Sequence, residues 1–373
     1  MPHQAKSLLG SRCVTVALEE RSYDIAIGTN ILPRVGAWIT SQHAVTHVIL
    51  ISDDRVAKHY QPTVVEALEA QGVRLTSLVV PAGESSKSVD SARQLWEASV
   101  ADRADRKSIV IALGGGVVGD LAGFVAATLT RGLDFFQIPT TLLAQVDSSV
   151  GGKVGINLPA AKNIVGAFWQ PRGVLIDTAV LGTLPEREYL SGLAEVVKYG
   201  VILDADFFGY LEQNVAKLLN RDPSVLEHII ARSCELKAQV VSQDEKETTG
   251  LRAILNYGHT YCHALETVAG YGEYLHGEAV SVGMLCASRL GELLGVFAPE
   301  DTQRQKTLLA ALRLPVATPS LNEQSIVAAM QRDKKVEHGK LRFIVPHRIG
   351  HVELTSDIPS DMALQAWRAG HLG

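Results

Sequence analysis

Ser108-Ile-Val-Ile-Ala-Leu113, Gly114-Gly-Gly-Val-Val-Gly119-Asp120 and the uncharged, alanine-rich run Leu121 to Leu129 together decide how this chain folds. The first segment is short, apolar and β-branched, as expected of a strand buried on both faces of a parallel sheet. The glycines read as a turn and the run from Leu121 as a buried helix. Strand, glycine turn and helix form the context in which backbone N–H groups can approach a pyrophosphate. A tight turn with close helix packing also accounts for the glycines. The literal G-x-G-x-x-G from Gly114 to Gly119 departs from the usual dinucleotide fingerprint in two respects. It follows the fourth strand in order, and no acidic residue ends the next strand.

Outward from this centre, Phe135 to Ile138 reads as a strand, followed by Pro139-Thr140-Thr141. Asp147-Ser-Ser-Val-Gly151-Gly152-Lys153 and Lys162-Asn163 come next. A second glycine pair ending on lysine supplies bare amides and a point charge, the chemistry of anion binding. Upstream, Ser22 to Ile27 alternates like an edge strand. Thr46 to Ser52 is a buried strand, Asp53-Asp54 caps a helix to about Ala70, Val73 to Val80 is the next strand and Ser88 to Ala101 the next helix. Gly173 to Asp177 is the last strand. Strands alternating with helices predict a doubly wound, mostly parallel, Rossmann-like sheet. Ligands then sit beyond the carboxyl ends of the strands, where Asp53, Glu84, Lys87, Gly114 to Asp120, Thr140 and Thr141 all fall. Asp53 reads equally as a helix cap, and Glu84 with Lys87 as a solvated turn.

Leu184-Pro185-Glu186 marks a boundary, giving an α/β domain over residues 1–185 and a helical domain over 186–373. Helices are expected at 187–201, 205–219, 222–241, 252–269, 277–294, 301–312, 324–332 and 358–372, with two short strands at 341–345 and 351–354. Arg252, Asn256, His259 and His263 stand at offsets 0, 4, 7 and 11, one stripe of a largely apolar helix. A polar stripe on a buried helix must satisfy its hydrogen bonds somewhere. His276 opens another helix, and Glu195 lies among aliphatic residues in Gly192 to Lys198, where an acid needs a cation. Histidine, histidine and glutamate from three helices would leave one metal position open to water or substrate. Lys198, one turn after Glu195, could be a surface lysine, yet it flanks the same buried acid. Lys237 by default is solvated, Asp333-Lys334-Lys335 reads as a charged turn, and Cys262, off the histidine stripe, reads as packing.

Composition bounds the function. The chain has 373 residues, 46% of them hydrophobic, enough for two full cores. A net charge of −5 argues against a nucleic-acid or membrane-surface partner, so any anion site must be a local cluster of Lys and Arg. Cys13, Cys234, Cys262 and Cys286 lack C-x-x-C spacing, as suits free thiols in a reducing cytoplasm. The uncharged runs are too short to span a bilayer.

With these residues placed, the chain resembles the 3-dehydroquinate synthase family from about Val14 to Leu354. The most specific stretches are GGGVVGDLAGFVAATLTRG, IPTTLLAQVDSSVGGKVGIN, AKNIVGAFWQP, GLAEVVKYG, NYGHTYCHALE and HGEAV. The resemblance implies a Rossmann-like NAD-binding domain, a helical metal-binding domain, a homodimer, and an active site between the domains. It implies that Glu195, His259 and His276 hold one divalent ion, zinc or cobalt. NAD+ is implied against Asp53, Glu84, Ser85, Ser86, Lys87, Gly115, Gly116, Val117, Val118, Gly119, Asp120, Thr140, Thr141, Asp147, Lys153, Lys162, Val180, Leu181, Gly182, Thr183 and Leu184. Substrate is implied against Asp147, Lys153, Asn163, Lys198, Lys237, Arg252, Asn256, His263 and one of Lys334 or Lys335. Arg131 matches an arginine that reaches a neighbouring subunit's phosphate site. Ala161 departs from the glycine many members carry before Lys162-Asn163. The implied reaction converts the acid sugar phosphate 3-deoxy-D-arabino-heptulosonate 7-phosphate to 3-dehydroquinate and phosphate in the cytoplasm. It proceeds by transient oxidation with NAD, phosphate elimination, re-reduction, ring opening and aldol closure. Related sugar-phosphate cyclases and metal-dependent polyol dehydrogenases share the plan. The former tend to replace the Asp-Ser-Ser-Val segment kept here at Asp147 to Val150, and the latter lack the Lys, Arg and Asn set.

Overall fold

A computed structural model describes residues 11–159, 161–270, 272–332 and 341–370. The chain divides into two compact units. The first runs to Leu184 and takes in Leu226–Lys246; the second comprises Pro185–Val225 and the chain from Glu247 onward. The break at Leu184 falls where the sequence changes pattern, but the segment from Leu226 returns to the α/β unit. A single cut in the sequence could not express that return.

The first unit is built on a seven-stranded sheet of β1 (Arg12–Val16), β2 (Tyr23–Gly28), β3 (His47–Asp53), β4 (Arg74–Val80), β5 (Ile109–Gly114), β6 (Asp134–Pro139) and β9 (Gly173–Asp177). Its order is β1-β2-β9-β6-β5-β3-β4, parallel except for the β1–β2 pair. Every residue of β3, β5 and β9 is buried, which explains their unbroken apolar runs. β1 was not expected from the sequence. It pairs outside Tyr23–Gly28, so the strand read as an edge is covered.

The helix after β5 starts at Gly116 and runs to Thr128, so the glycines form its first turn and not a loop ahead of Leu121. Gly123 lets this helix touch Val154, where an added Cβ would stand 2.3 Å from the valine Cγ1. Val154 belongs to a second unexpected feature, the antiparallel hairpin of β7 (Lys153–Leu158) and β8 (Ala161–Phe168). The Gly151-Gly152-Lys153 segment therefore opens a strand: both glycines have positive φ, and Lys153 is the first strand residue.

The second unit is helical, with one hairpin of β10 (Leu341–Arg348) and β11 (His351–Ile358). Asp222 caps the helix Pro223–Gln243 by accepting from the backbone N–H groups of Ser224 and Val225 at 3.0 and 3.1 Å. The helix expected over 252–269 is not continuous. A 3-10 segment covers Leu251–Asn256, and an α-helix covers His259–Ala269, broken by Gly258 at φ +79°. That conformation lets Gly258 lie against the next helix, His276–Leu293, where a Cβ would fall 2.6 Å from Met284 N. On the opposing side, a Cβ on Gly283 would fall 2.2 Å from Gly258 O. Backbone meets backbone at this crossing.

Candidate active site

In the helical unit, three segments bring a carboxylate and two imidazoles together. Glu195 lies in the helix Glu186–Leu203, 1% exposed, with neither oxygen in an aligned hydrogen bond. Lys198, 2% exposed, forms an ion pair with its Oε2, so the lysine is buried and not a surface residue. Oε1 lies 3.8 Å from His259 Nε2 and 3.7 Å from His276 Nε2. Donor atoms of Glu195, His259 and His276 all lie within 4.8 Å of one another. Close helix contacts set this meeting. A Cβ on Gly277 would overlap the Ser191 carbonyl oxygen at 1.8 Å, so His276 opens its helix one turn before Glu195 on the neighbouring one. Gly277 N donates to Ser191 Oγ at 3.0 Å.

Each histidine is held through its other nitrogen. His259 Nδ1 is 3.1 Å from the Tyr257 carbonyl oxygen, which makes Nδ1 the N–H and leaves Nε2 as a lone pair toward Glu195. His276 Nδ1 is 3.3 Å from Glu266 Oε1 and 3.9 Å from Cys262 Sγ. Burial works against a charge on His276, but Cys262, Glu266 and Glu195 outweigh it and hold the imidazole well above its usual range. Burial pushes the Cys262 thiol up, so it stays protonated. Cys262, read as packing from the sequence, thus stands against a site histidine.

The stripe of four polar residues survives only in part. His259 and His263 share a helix face, their ring centroids 5.6 Å apart, whereas Arg252 and Asn256 precede the break. Arg252 is buried and its Nε lies 3.5 Å from Glu247 Oε1. The true continuation of the stripe is Glu266, seven residues after His259, and that spacing was the available signal for it. Lys334 and Lys335 lie outside the described residues.

In the α/β unit, the residues named from the sequence gather at the carboxyl ends of adjacent strands. Asp53 ends β3 and caps the following helix, its Oδ1 accepting from the N–H groups of Arg55 and Val56 at 2.9 and 3.0 Å. Glu84, Ser85 and Ser86 form one 3-10 turn after β4. Lys87 follows, buried, and its Nζ donates to Asp120 Oδ2 at 2.6 Å and to Asn163 Oδ1. Burial raises the Asp120 carboxyl above its usual range, against the opposing pull of Lys87. Asn157, unnoticed in the sequence, completes this network. Its Nδ2 donates to Glu84 Oε1 at 2.7 Å, and its Oδ1 accepts from Asn163 N at 2.8 Å. Lys162 is exposed on the same hairpin.

Gly115 and Gly116 keep the N-terminus of their helix bare: a Cβ on either would stand 3.0 Å from Thr141 Cγ2 or Ser148 Oγ, and no side chain caps the helix. Val118 packs into the core against Gly114, so of Val117, Val118 and Gly119 it can offer a ligand only backbone. Thr140 Oγ1 is buried without a hydrogen-bond partner, and Thr141 Oγ1 accepts from Ala144 N at 3.1 Å. Val180, Leu181, Gly182 and Thr183 form a 3-10 segment before Leu184. There Tyr60 OH donates to the Val180 carbonyl at 2.9 Å and lies 2.6 Å from Thr183 Oγ1.

Lys237 belongs to this unit and is 6% exposed, not solvated. Its Nζ donates to Asp147 Oδ1 at 2.8 Å and to the Asp147 carbonyl at 2.7 Å. Arg131 is exposed in a run of three positive-φ residues, Thr130, Arg131 and Gly132. None of the four cysteines forms a disulfide. Among the described residues no helix is long and apolar enough to cross a membrane.

Comparison with known proteins bears on the whole chain. The 3-dehydroquinate synthase N-terminal family model matches residues 77–191 and the C-terminal model residues 192–336. The chain is 50% identical over 359 residues to the 3-dehydroquinate synthase of Rhodopirellula baltica, covering 95% of this chain and 96% of that one. It is also 50% identical over 346 residues to that of Desulforamulus reducens, covering 92% and 96%. Among solved structures, 2-deoxy-scyllo-inosose synthase with carbaglucose-6-phosphate, NAD+ and Co2+ is similar at TM-score 0.87 and 28% identity, covering 96% of this chain and all of that one. The 2-epi-5-epi-valiolone synthase of Streptomyces hygroscopicus with NAD+ and Zn2+ follows at 0.84 and 27%, covering 95% and 98%. A glycerol dehydrogenase from Schizosaccharomyces pombe shares the fold at TM-score 0.69 and 16% identity, covering 93% and 88%. On matches that span both units, the chain belongs to the 3-dehydroquinate synthase family.

Proposed function

We propose that this chain converts 3-deoxy-D-arabino-heptulosonate 7-phosphate to 3-dehydroquinate and inorganic phosphate, with NAD and one divalent cation bound. The observation that carries this reading is that a chain half identical to named 3-dehydroquinate synthases over nearly its full length also presents a buried carboxylate facing two imidazoles. The cyclases that act elsewhere in the superfamily are more distant, at 27–28% identity.

The residues present fit both groups. Glu195, with its oxygens lacking aligned hydrogen bonds, and the Nε2 atoms of His259 and His276 form an N/O donor set suited to zinc or cobalt. The bare helix start at Gly115–Gly116 and the orphaned Thr140 hydroxyl suit the pyrophosphate of NAD. When bound, NAD takes up and returns a hydride while the cation serves as a Lewis acid toward the alcohol and the ketone it becomes.

The chain's own residues mainly bind and orient. Lys198, Lys237 and Arg252 are buried cations, each neutralised within its own unit by Glu195, Asp147 or Glu247. Buried ion pairs cost desolvation that their attraction need not repay, so holding an anionic sugar phosphate is the role assigned to these cations. Lys237 and Arg252 would take the carboxylate and ring hydroxyls, and Asn163 and Asn256 are further substrate contacts in this reading. Lys153, His263, Arg131 and one of Lys334 or Lys335 would take the phosphate. We further propose a homodimer. Leu158, Ile164 and Phe168 expose large apolar surface on one hairpin, and Arg131 projects from a strained turn, so a second copy of the chain is the occupant that suits both. The absence of disulfides among four cysteines, three of them buried, suits a cytoplasmic enzyme.

The deciding assay is inorganic phosphate release from the heptulosonate phosphate. Release that needs both NAD and the cation, with no net NADH, is the expected result. Net NADH without phosphate would indicate a polyol dehydrogenase. Faster release from sedoheptulose 7-phosphate would indicate a different cyclase. A zinc hydrolase would release phosphate without NAD.

A further inference from the structure

We propose that Glu266 is a positioning residue, holding His276 by its Nδ1–H so that Nε2 faces Glu195. The inference rests on the reading of Glu195, His259 and His276 as cation ligands. His276 opens its helix, and its side chain remains about a third exposed. Rotation about its side-chain bonds would take Nε2 away from Glu195. Glu266 Oε1, 3.3 Å from Nδ1, is the carboxylate placed to prevent this. It comes from the helix His259–Ala269, two turns after His259, so one helix supplies one imidazole and orients the other. The two imidazoles are held differently. His259 donates to a neutral carbonyl at Tyr257, whereas His276 donates to a carboxylate, which also makes its Nε2 a stronger donor toward a cation.

The same atoms admit another reading. Cys262, Glu266 and His276 also bring donor atoms within 4.8 Å of one another, as a second cation site would. Two facts oppose it. His276 has one ring, and binding cations through both nitrogens would require an imidazolate. Cys262 Sγ stands 3.9 Å from His276 Nδ1, farther than Glu266 Oε1 at 3.3 Å, so the carboxylate is the nearer partner of that nitrogen. Cys262 is better described as the apolar floor under the Nδ1–Glu266 contact.

The test measures the affinity and number of Zn2+ or Co2+ ions bound, by chelator competition, in the whole protein and in Glu266→Ala and Glu266→Gln. We expect one ion per chain throughout, with affinity about 10–100-fold weaker in Glu266→Ala. Glu266→Gln keeps an acceptor oxygen and should fall between that variant and the unsubstituted protein. Visible absorption of the Co2+ form should broaden in Glu266→Ala, while NAD affinity, a property of the other unit, stays the same. Unchanged metal affinity in Glu266→Ala overturns the proposal, as does equal weakening in both variants accompanied by equal loss of thermal stability, which would assign the effect to packing. Two ions in the unsubstituted protein and one, undiminished in affinity, in Glu266→Ala would establish the second site instead. Failure of the unsubstituted protein to bind any ion would overturn the underlying metal reading, and that result is seen before any variant is made.

Discussion

Lys87→Met tests the network that joins the carboxyl-end edge of the sheet to the β7–β8 hairpin. Methionine keeps most of the buried stem and removes two donated hydrogen bonds, to Asp120 and to Asn163. A hydrogen bond to a charged group contributes about 1.5–3 kcal/mol and a neutral one about 1 kcal/mol. Asp120 keeps a quarter of its side chain open to water, so the low end applies to the ion pair and the total is about 2.5 kcal/mol. For a unit of roughly 200 residues each kcal/mol moves the melting temperature by about 2–4 °C, so the expected fall is about 5–10 °C. The dependence on pH gives the stricter check. Asp120 has a raised folded-state pKa, so folding takes up protons there, and its contribution to stability declines as pH rises from the ordinary aspartate range through the raised value. Removing Lys87 lifts that value further. The variant's deficit should therefore widen with pH across that interval and narrow near pH 4. Differential scanning calorimetry of the metal-loaded protein at several pH values reads both effects. A fall under about 2 °C, or a deficit that is the same at every pH, would show that the Lys87–Asp120 contact does not stabilise the unit.

Three further outcomes follow. His263→Ala should retain near-full metal content while phosphate affinity falls by about 1.5–3 kcal/mol, whereas His259→Ala should lose the metal; equal loss in the two, by elemental analysis, would make His263 a ligand. Arg131→Ala mixed with His276→Ala should give partly active hybrid dimers after verified subunit exchange, and wholly inactive mixtures would confine the arginine's role to its own chain. Chelation should abolish phosphate release yet leave NAD binding, followed by fluorescence titration, largely intact, because the cation donors and the glycine-lined helix start belong to different units.

The parallel sheet was legible in the sequence because its central strands β3, β5 and β9 are buried on both faces, and an apolar run such as Val48–Ile51 has few other readings. Glu195, His259 and His276, which the structure brings within 4.8 Å of one another, were legible as residue types at helix positions. What failed was the continuity assumed between Arg252 and His263. A single glycine in the left-handed region interrupts an otherwise helical pattern, and offset counting cannot see it. The hairpin Lys153–Phe168 was hidden by its glycines, which look like loop residues until Gly155 and Gly166 are found facing each other across the pair. Lys198 and Lys237 could not be assigned to the interior from spacing, because what keeps them there is a carboxylate: Glu195 one turn away, and Asp147 ninety residues earlier.

The crossing of Gly258 over Gly283 has a consequence for how the donor set can vary. Where two helices touch through side chains, their separation can be tuned by trading a larger residue for a smaller one. Here main chain rests on main chain, and no smaller residue exists. The segment that begins at His259 is therefore fixed in height above the helix that begins at His276, whatever surrounds them. If His259 and His276 hold a cation, substitutions around this crossing cannot bring the two helix starts closer together than they already are. A tighter donor set would therefore have to come from exchanging a donor atom, nitrogen for oxygen or sulfur, or from turning a donor side chain.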